Sequence, residues 1–458
     1  MNNKYTAGID KFINDNRENI VRDIARLVAI NSVEGKAEPG APFGKGPKQA
    51  LELGLEICRE LGLEAVNCED KIGYGQIGDA EDYLATITHL DVVPVGEGWT
   101  GDPFTLRERE GYIIGRGVMD DKGPSVLCLY ALKYLKDAGV PLRYSIRALL
   151  GTNEETGMGD VEYYLDNYKA PVFCFSPDSG FPVCNGEKGI CNLRIVSKTK
   201  LDKIADIRGG VAGNVIPGKA EAWVKGAKPA ATESVSVEAD GELWHLTAKG
   251  IGGHASKPEG TVNAIGVLIS YILENKLAGD EEEKFLRLLM KLHESWNGSG
   301  LGVDADDGKF EPLTIIGGVV GVEDGHIFQT VDSRYPTNTS GRKIADTISA
   351  LAGGLAEIEL KRDTAPFYMS IDNPAVKVCM DVYNAVTGED AKPYTMGGGT
   401  YARDFPNGVS FGPEHPERSY PDFFGPIHGA DEAASIDEFM EALKIYILAL
   451  IELEAVEF

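Results

Sequence analysis

None of the seven cysteines of this 458-residue sequence (58, 68, 128, 174, 184, 191 and 379) forms a C-x-x-C pair, and their number is odd. A thiolate zinc knot and a disulfide framework are therefore not indicated, and the cysteines read as reduced, buried small hydrophobes. Cationic residues are also scarce, with 45 Lys and Arg against 71 Asp and Glu and a formal charge of −26. Binding to nucleic acid or to an anionic membrane needs the opposite balance. No run reaches the ~18 uncharged apolar residues of a membrane span. The opening MNNKYTAGIDKFIND lacks the basic segment and apolar core of a secretory leader, so a cytoplasmic protein is expected. Low-complexity tracts and short-period repeats are missing as well. What is present is 43% hydrophobic residues, ample for buried cores. At roughly 100–200 residues per domain, two or three domains are expected.

The first ~185 residues alternate helical and strand patterns, as an α/β layer architecture does. ENIVRDIARLVAI carries apolar residues at helical spacing (Ile20, Val21, Ile24, Leu27, Val28), and YLATITHL reads as a strand. GPSVLCLYALKYLKDAG follows as a helix with Pro124 in its first turn, and LRYSIRALLGT and PVFCFS read as strands. The C-terminal stretch returns to this style. Ser435 and Glu438 form a candidate capping box ahead of an apolar face of Phe439, Met440, Leu443, Tyr446, Ile447 and Leu450. From about Gly189 to Ser370 the texture changes to alternating strands (NLRIVSKTK, EAWVKGAK, ELWHLTAKG), two long helical patterns and Gly-rich turns. The expected organisation is one domain from residues 1–188 and 371–458 and an inserted α+β domain over 189–370. The inserted segment is long enough for two packed α+β units or for one larger sheet.

Chemistry is signalled by acidic residues at the ends of apolar runs. His89 and Asp91 close YLATITHLDVVP, Asp120 and Asp121 lie in GRGVMDDKGP, Glu154 and Glu155 in ALLGTNEETG, and Asp178 in FCFSPDSG. In open α/β sheets, ligands bind beyond the carboxyl ends of the strands, so these residues are expected to share one cleft. Facing carboxylates repel one another unless cations neutralise them, and together with His89 they point to metal.

The motifs HLDVVP, WTGDPF, GRGVMDDKGP, GTNEETG, SPDSGFP, GNVIPG, GGHASKPEGTVNA, SRYP and GGGTYAR occur in order along the chain. In this the sequence resembles the aminoacylase and carboxypeptidase-G2-like dinuclear zinc peptidases, especially their bacterial branch of carnosinase-like Xaa-dipeptidases. The resemblance implies a catalytic domain with a central mixed β-sheet flanked by helices, closed by the inserted lid. It implies two divalent ions: His89 and Asp178 on one, Glu155 and His428 on the other, and Asp120 bridging. Imidazole and carboxylate ligands suit zinc and also manganese or cobalt. Asp91 would orient His89, and Asp121 would support the turn. Glu154 would be the general base, taking a proton from the metal-bridging water and passing it to the leaving amine.

His428, in GPIHGADE, fits the final ligand, whereas His415 lacks the following acidic pair. His254 matches the lid histidine that stabilises the oxyanion. His245, His293 and His326 receive structural readings, with His326 near enough to SRYP to be a cleft candidate. Arg334 and Arg403 match positions near the substrate, where a guanidinium holds a carboxylate through paired hydrogen bonds. Asn214, Gly398 and Gly399 resemble further substrate contacts, the glycines by letting backbone approach closely. The implied activity is hydrolysis of a dipeptide or other short peptide with a free carboxylate. The length of the insert implies a monomer with His254 acting within its own chain. An N-acyl-amino-acid amidohydrolase or desuccinylase of the same family would share every metal ligand. A metal-stabilised binding protein would be expected to lack Glu154.

Overall fold

A computed structural model describes residues 4–458 of the chain. It divides into two compact units. The first comprises Met1–Asn185, Met369–Tyr394 and Gly399–Phe458, and the second Gly186–Tyr368 with Thr395–Gly398.

The first unit is built on a mixed sheet. Its strands run in the spatial order Glu64–Cys68, Ile72–Ile77, Ser145–Gly151, Tyr83–His89, Phe173–Ser176, Gly408–Phe411 and Val183–Glu187. The four consecutive strands from Ser145–Gly151 to Gly408–Phe411 are mutually parallel, with Tyr83 opposite Ser145 and His89 opposite Gly151. Their carboxyl ends therefore emerge along one edge. Tyr83–His89 is buried at every position, as a strand covered on both faces must be. The covering helices include Ile9–Val28, Lys122–Asp137 and Ile436–Leu453. Ile20, Ile24, Leu27 and Val28 are fully buried on the first of these, and Leu443, Tyr446, Ile447 and Leu450 on the last. Pro124 occupies the first turn of its helix, where no intrahelical donor is lost. The capping box at Ser435 is only half formed. Its hydroxyl accepts the Glu438 amide at 3.4 Å, but the Glu438 carboxylate turns outward to Arg418 at 2.9 Å, a stronger, charged partner. All seven cysteines are buried and free.

The second unit carries one eight-stranded sheet, so its residues form a single larger sheet rather than two packed units. The order is Val235–Asp240, Leu243–Lys249, Lys219–Val224, Ile204–Gly209, Thr314–Glu323, His326–Tyr335, Gly189–Lys200 and Ala356–Thr364. Helices Ala264–Glu274, Asp280–His293 and Gly341–Ala352 accompany it. Leu193, Ile207, Leu246, Ile265, Leu289 and Ile348 belong to one continuous core. A separate two-strand ribbon pairs Val215–Ile216 with Gly253–His254, placing Val215 opposite His254. Among the described residues no helix is long and apolar enough to cross a membrane.

Candidate metal centre

Strand ends deliver the site. His89 terminates Tyr83–His89, Glu154 and Glu155 follow Ser145–Gly151 by a few residues, and Asp178 follows Phe173–Ser176. Asp120 comes from the loop before helix Lys122–Asp137, and His428 from a loop in which its own φ is +60°. These six residues all belong to the first unit and come together. The Nε2 of His89 lies 2.8 Å from Asp120 Oδ1, and the Nε2 of His428 lies 2.8 Å from Asp120 Oδ2. Asp120 thus offers one oxygen to each imidazole, the arrangement a bridging carboxylate requires. His428 Nε2 is 3.2 Å from Glu155 Oε1, and His89 Nε2 is 3.9 Å from Asp178 Oδ2. The ligand atoms of His89, Glu154 and Asp178 lie within 4.8 Å of one another, as do those of His89, Asp120 and Glu155.

The electrostatics of this cluster test its fit to metal. Burial and the neighbouring Asp178 push the Glu154 carboxyl well above its ordinary range, and burial and Asp120 do the same to Asp178. Asp120 is held low despite its burial by hydrogen bonds from His428 and His89. His428 is driven up to about 11 by its contacts with Asp120 and Glu155. Glu155 Oε1 is shielded from water, with His428 Nε2 as its neighbour at 3.2 Å. Without a cation, Glu154 and Asp178 favour their protonated forms and His89 and His428 hold their protons. Two imidazoles and four carboxylates without a thiolate are a donor set for hard or borderline divalent cations, which would replace those protons. The residues fit such ions.

His89, Asp120, Glu154 and Glu155 are each held by a further group. Asp121, fully buried, accepts the backbone N–H of His89 at 3.2 Å and so supports the strand end. Asp91 flanks His89 with both its main chain and its carboxylate. The partner nearest His89 Nδ1 is the Asp91 backbone carbonyl at 3.0 Å, while the carboxylate stands at 3.6 Å. The carboxylate also accepts the amides of Glu154 at 3.2 Å and Glu155 at 3.1 Å. One extended turn thereby fixes the imidazole through its main chain and the glutamate pair through its side chain.

Three contributors escape a reading of the sequence. Asp160 accepts the amides of Thr152 at 2.6 Å and Asn153 at 3.0 Å and also the Tyr401 hydroxyl; burial and Asp91 raise its carboxyl to about 6. Glu432, fully buried, accepts the amides of Gly117, Met119 and Asp120 and pairs with Arg116 at 2.7 Å. It grips the loop that presents the bridging ligand. Glu414 follows the fourth parallel strand, Gly408–Phe411, and is therefore carried to the same sheet edge. The strand-end rule that found Asp178 would have found Glu414, had GVSF been recognised as a strand.

Of the other residues singled out from the sequence, Arg403 and Gly399 lie in the first unit, where a Cβ on Gly399 would stand 2.6 Å from Arg403 Nη1. A side chain there would displace the tip of the Arg403 guanidinium. Asn214, His254, Arg334 and Gly398 belong to the second unit. There His254 Nε2 is 3.5 Å from Asn214 Nδ2, and its Nδ1 is 2.8 Å from the Ser256 hydroxyl. Partial burial and the charge of Arg334 lower the pKa of His254, favouring neutral imidazole. Arg334 donates to Asp332 at 2.7 Å and to the Gly397 carbonyl at 2.8 Å. Gly398 is open, with nothing nearer its notional Cβ than Met396 Sδ at 3.9 Å. His245 stacks on Trp223 at 4.3 Å, His326 Nδ1 lies 2.9 Å from the Ser197 carbonyl, and burial lowers His293 to about 4.

A mixed sheet whose parallel strands end in imidazole and carboxylate ligands sharing one bridging aspartate is the frame of a two-metal hydrolase. The chain belongs to Peptidase family M20/M25/M40, which it matches over residues 85–452. The Beta-Ala-Xaa dipeptidase of Lactobacillus delbrueckii subsp. lactis is 33% identical over 460 residues, covering 95% of this chain and 96% of that protein. YtjP of Bacillus subtilis (strain 168), provisionally assigned as a dipeptidase, is 32% identical over 461 residues, covering 95% of this chain and 97% of its own. The crystal structure of human carnosine dipeptidase 1 superposes with a TM-score of 0.59 at 14% identity, covering 98% of this chain and 99% of that one, a likeness of fold.

Proposed function

We propose that the protein is a metal-dependent dipeptidase that hydrolyses short peptides with a free carboxylate. The observation that carries this reading is the placement of Asp120, with one oxygen 2.8 Å from each of two imidazoles. In the proposed assignment His89 and Asp178 would hold one divalent ion and Glu155 and His428 the other, with Asp120 available to both; zinc is favoured, with manganese or cobalt compatible with the same donors. When bound, the ions supply Lewis-acid polarisation of the scissile carbonyl and a lowered pKa for water.

This chain's own groups do the remaining work. The Glu154 carboxylate takes the proton of the attacking water as the C–O bond forms, then returns it to the departing nitrogen as the C–N bond breaks. Its backbone amide, held by the Asp91 carboxylate at 3.2 Å, fixes Glu154 in place for that exchange. The residues of the second unit act as a lid over the substrate. His254, as neutral imidazole, donates to the developing oxyanion alongside Asn214. Arg334 and Arg403 hold the substrate carboxylate, and Gly398 and Gly399 admit its backbone. Residues 1–188 and 371–458 form the catalytic domain and 189–370 the lid. The enzyme works in the cytoplasm as a monomer, with His254 serving its own chain.

The test is release of free amino acids from dipeptides, tripeptides and N-acetyl or N-succinyl amino acids by metal-stripped protein resupplied with zinc, manganese or cobalt. Cleavage confined to dipeptides is expected. Preferential cleavage of the N-acyl compounds would transfer the protein to the amidohydrolases.

A further inference from the structure

A dipeptidase must recognise an ammonium group at one end of its substrate, and none of the motif residues supplies a partner for it. Glu414 has the chemistry and the position. Its two-residue strand Pro413–Glu414 pairs in parallel with Ser179–Gly180, immediately after Asp178. Its carboxylate is within electrostatic reach of Asp120, Asp178 and His428, yet it is not among the residues whose ligand atoms cluster for metal. Among the described residues no side chain hydrogen-bonds or ion-pairs with it, although it is largely shielded from water. The basic groups around it are already engaged: His428 with Asp120 and Glu155, Arg116 with Glu432, and Arg418 with Glu438 and Glu441.

Glu414 also lines a cavity of about 290 Å³ whose wall includes Met119, Tyr420, Phe424 and Ile427. Met119 and Ile427 directly precede the ligands Asp120 and His428, so the cavity opens beside the metal centre. That volume is at the lower limit of the ~300–1,000 Å³ typical of small-molecule sites and suits a single residue rather than a longer chain. The rest of the wall is largely apolar, and burial lowers the lining His415 to about 4, leaving it neutral; with the Glu414 carboxylate, this selects a group that is cationic at its tip and apolar behind it.

We propose that Glu414 and this cavity form the subsite for the protonated amino-terminal residue of the substrate. Glu414 accepts hydrogen bonds from the ammonium, and Tyr420, Phe424 and Ile427 contact the side chain behind it. Burial and the nearby Asp120 raise the Glu414 carboxyl to about 7, and an arriving ammonium reverses that shift by stabilising the carboxylate. The assignment rests on the dipeptidase reading and makes Glu414 the residue that separates dipeptides from N-acyl amino acids.

Alanyl-alanine and N-propionyl-alanine differ only in the amine, and their steady-state kinetics on wild type and Glu414→Gln at pH 8 test the proposal. Wild type is expected to prefer alanyl-alanine. In the variant, KM for alanyl-alanine should rise about 10- to 100-fold with kcat nearly unchanged, as loss of a charged ground-state contact predicts. N-propionyl-alanine should change by less than about twofold, and bound metal measured by elemental analysis should be unaltered. Equal losses on both substrates, an unchanged KM for alanyl-alanine, or loss of metal would each overturn the assignment while leaving the dipeptidase reading intact. A wild-type preference for N-propionyl-alanine would overturn both.

Discussion

The two units present their polar residues in contrasting ways. In the first, His89 is fully buried, and its backbone N–H, its Nδ1 and the amides of Asp120, Glu154 and Glu155 are each held by a named partner. In the second, His254 stands on a two-residue strand, exposed, with Ser256 and a long contact to Asn214 as its company. The difference matches the two tasks. Metal ligands must be fixed to within about 0.5 Å before any substrate arrives, which requires a shell of buried acceptors around the main chain. A donor to an oxyanion that exists only during turnover needs no such permanent shell.

That division of labour can be broken experimentally. Glu154→Ala should lower kcat by about 10²–10⁴-fold while both metals stay bound, read by kinetics alongside elemental analysis. Retained turnover would remove Glu154 from the proton path. In the second unit, His254→Ala should cost about 10²–10³-fold in kcat with KM little changed and metal content untouched. A variant that instead lost metal would erase the contrast between the units. The smallest effect concerns binding alone. Because contacts with Asp120 and Glu155 keep His428 protonated up to about pH 11, the metal-free imidazole must shed its proton to become a ligand. Metal uptake at pH 7 should therefore release about one proton or more, and affinity should weaken as pH falls. Calorimetry in two buffers of different ionisation heat measures the release, and a pH-independent affinity would contradict it.

Much of this was legible in the sequence, because hydrophobic runs ending in acids state both the strand and its functional edge. Tyr83–His89, Ser145–Gly151 and Phe173–Ser176 could be read that way, and their ligands with them. Glu414 could not. The strand that delivers it, Gly408–Phe411, is only four residues long and is followed by Gly412–Pro413, which reads as a turn. The grips of Glu432 and Asp160 were equally hidden, since an acceptor for backbone amides leaves no periodic trace and its partners are distant in the chain: Glu432 reaches Asp120 across 312 positions. Asp91 is legible as a supporting residue, but spacing alone does not show that its carboxylate also holds the amides of the glutamate pair. The half-formed box at Ser435 has the same origin, a remote arginine outcompeting a local amide.

Asp160 and Asp91 between them take the amides of four successive residues, Thr152 to Glu155. The segment is thus indexed, in the way a ratchet pawl indexes a wheel. Glu154 and Glu155 are chemically identical, and only their phase along the chain separates proton carrier from metal ligand. A single residue inserted between Gly151 and Asn153 would advance that phase by one step, moving Glu154 into the place of Glu155 and leaving an asparagine where the proton carrier belongs. The loop can therefore drift in composition far more freely than in length.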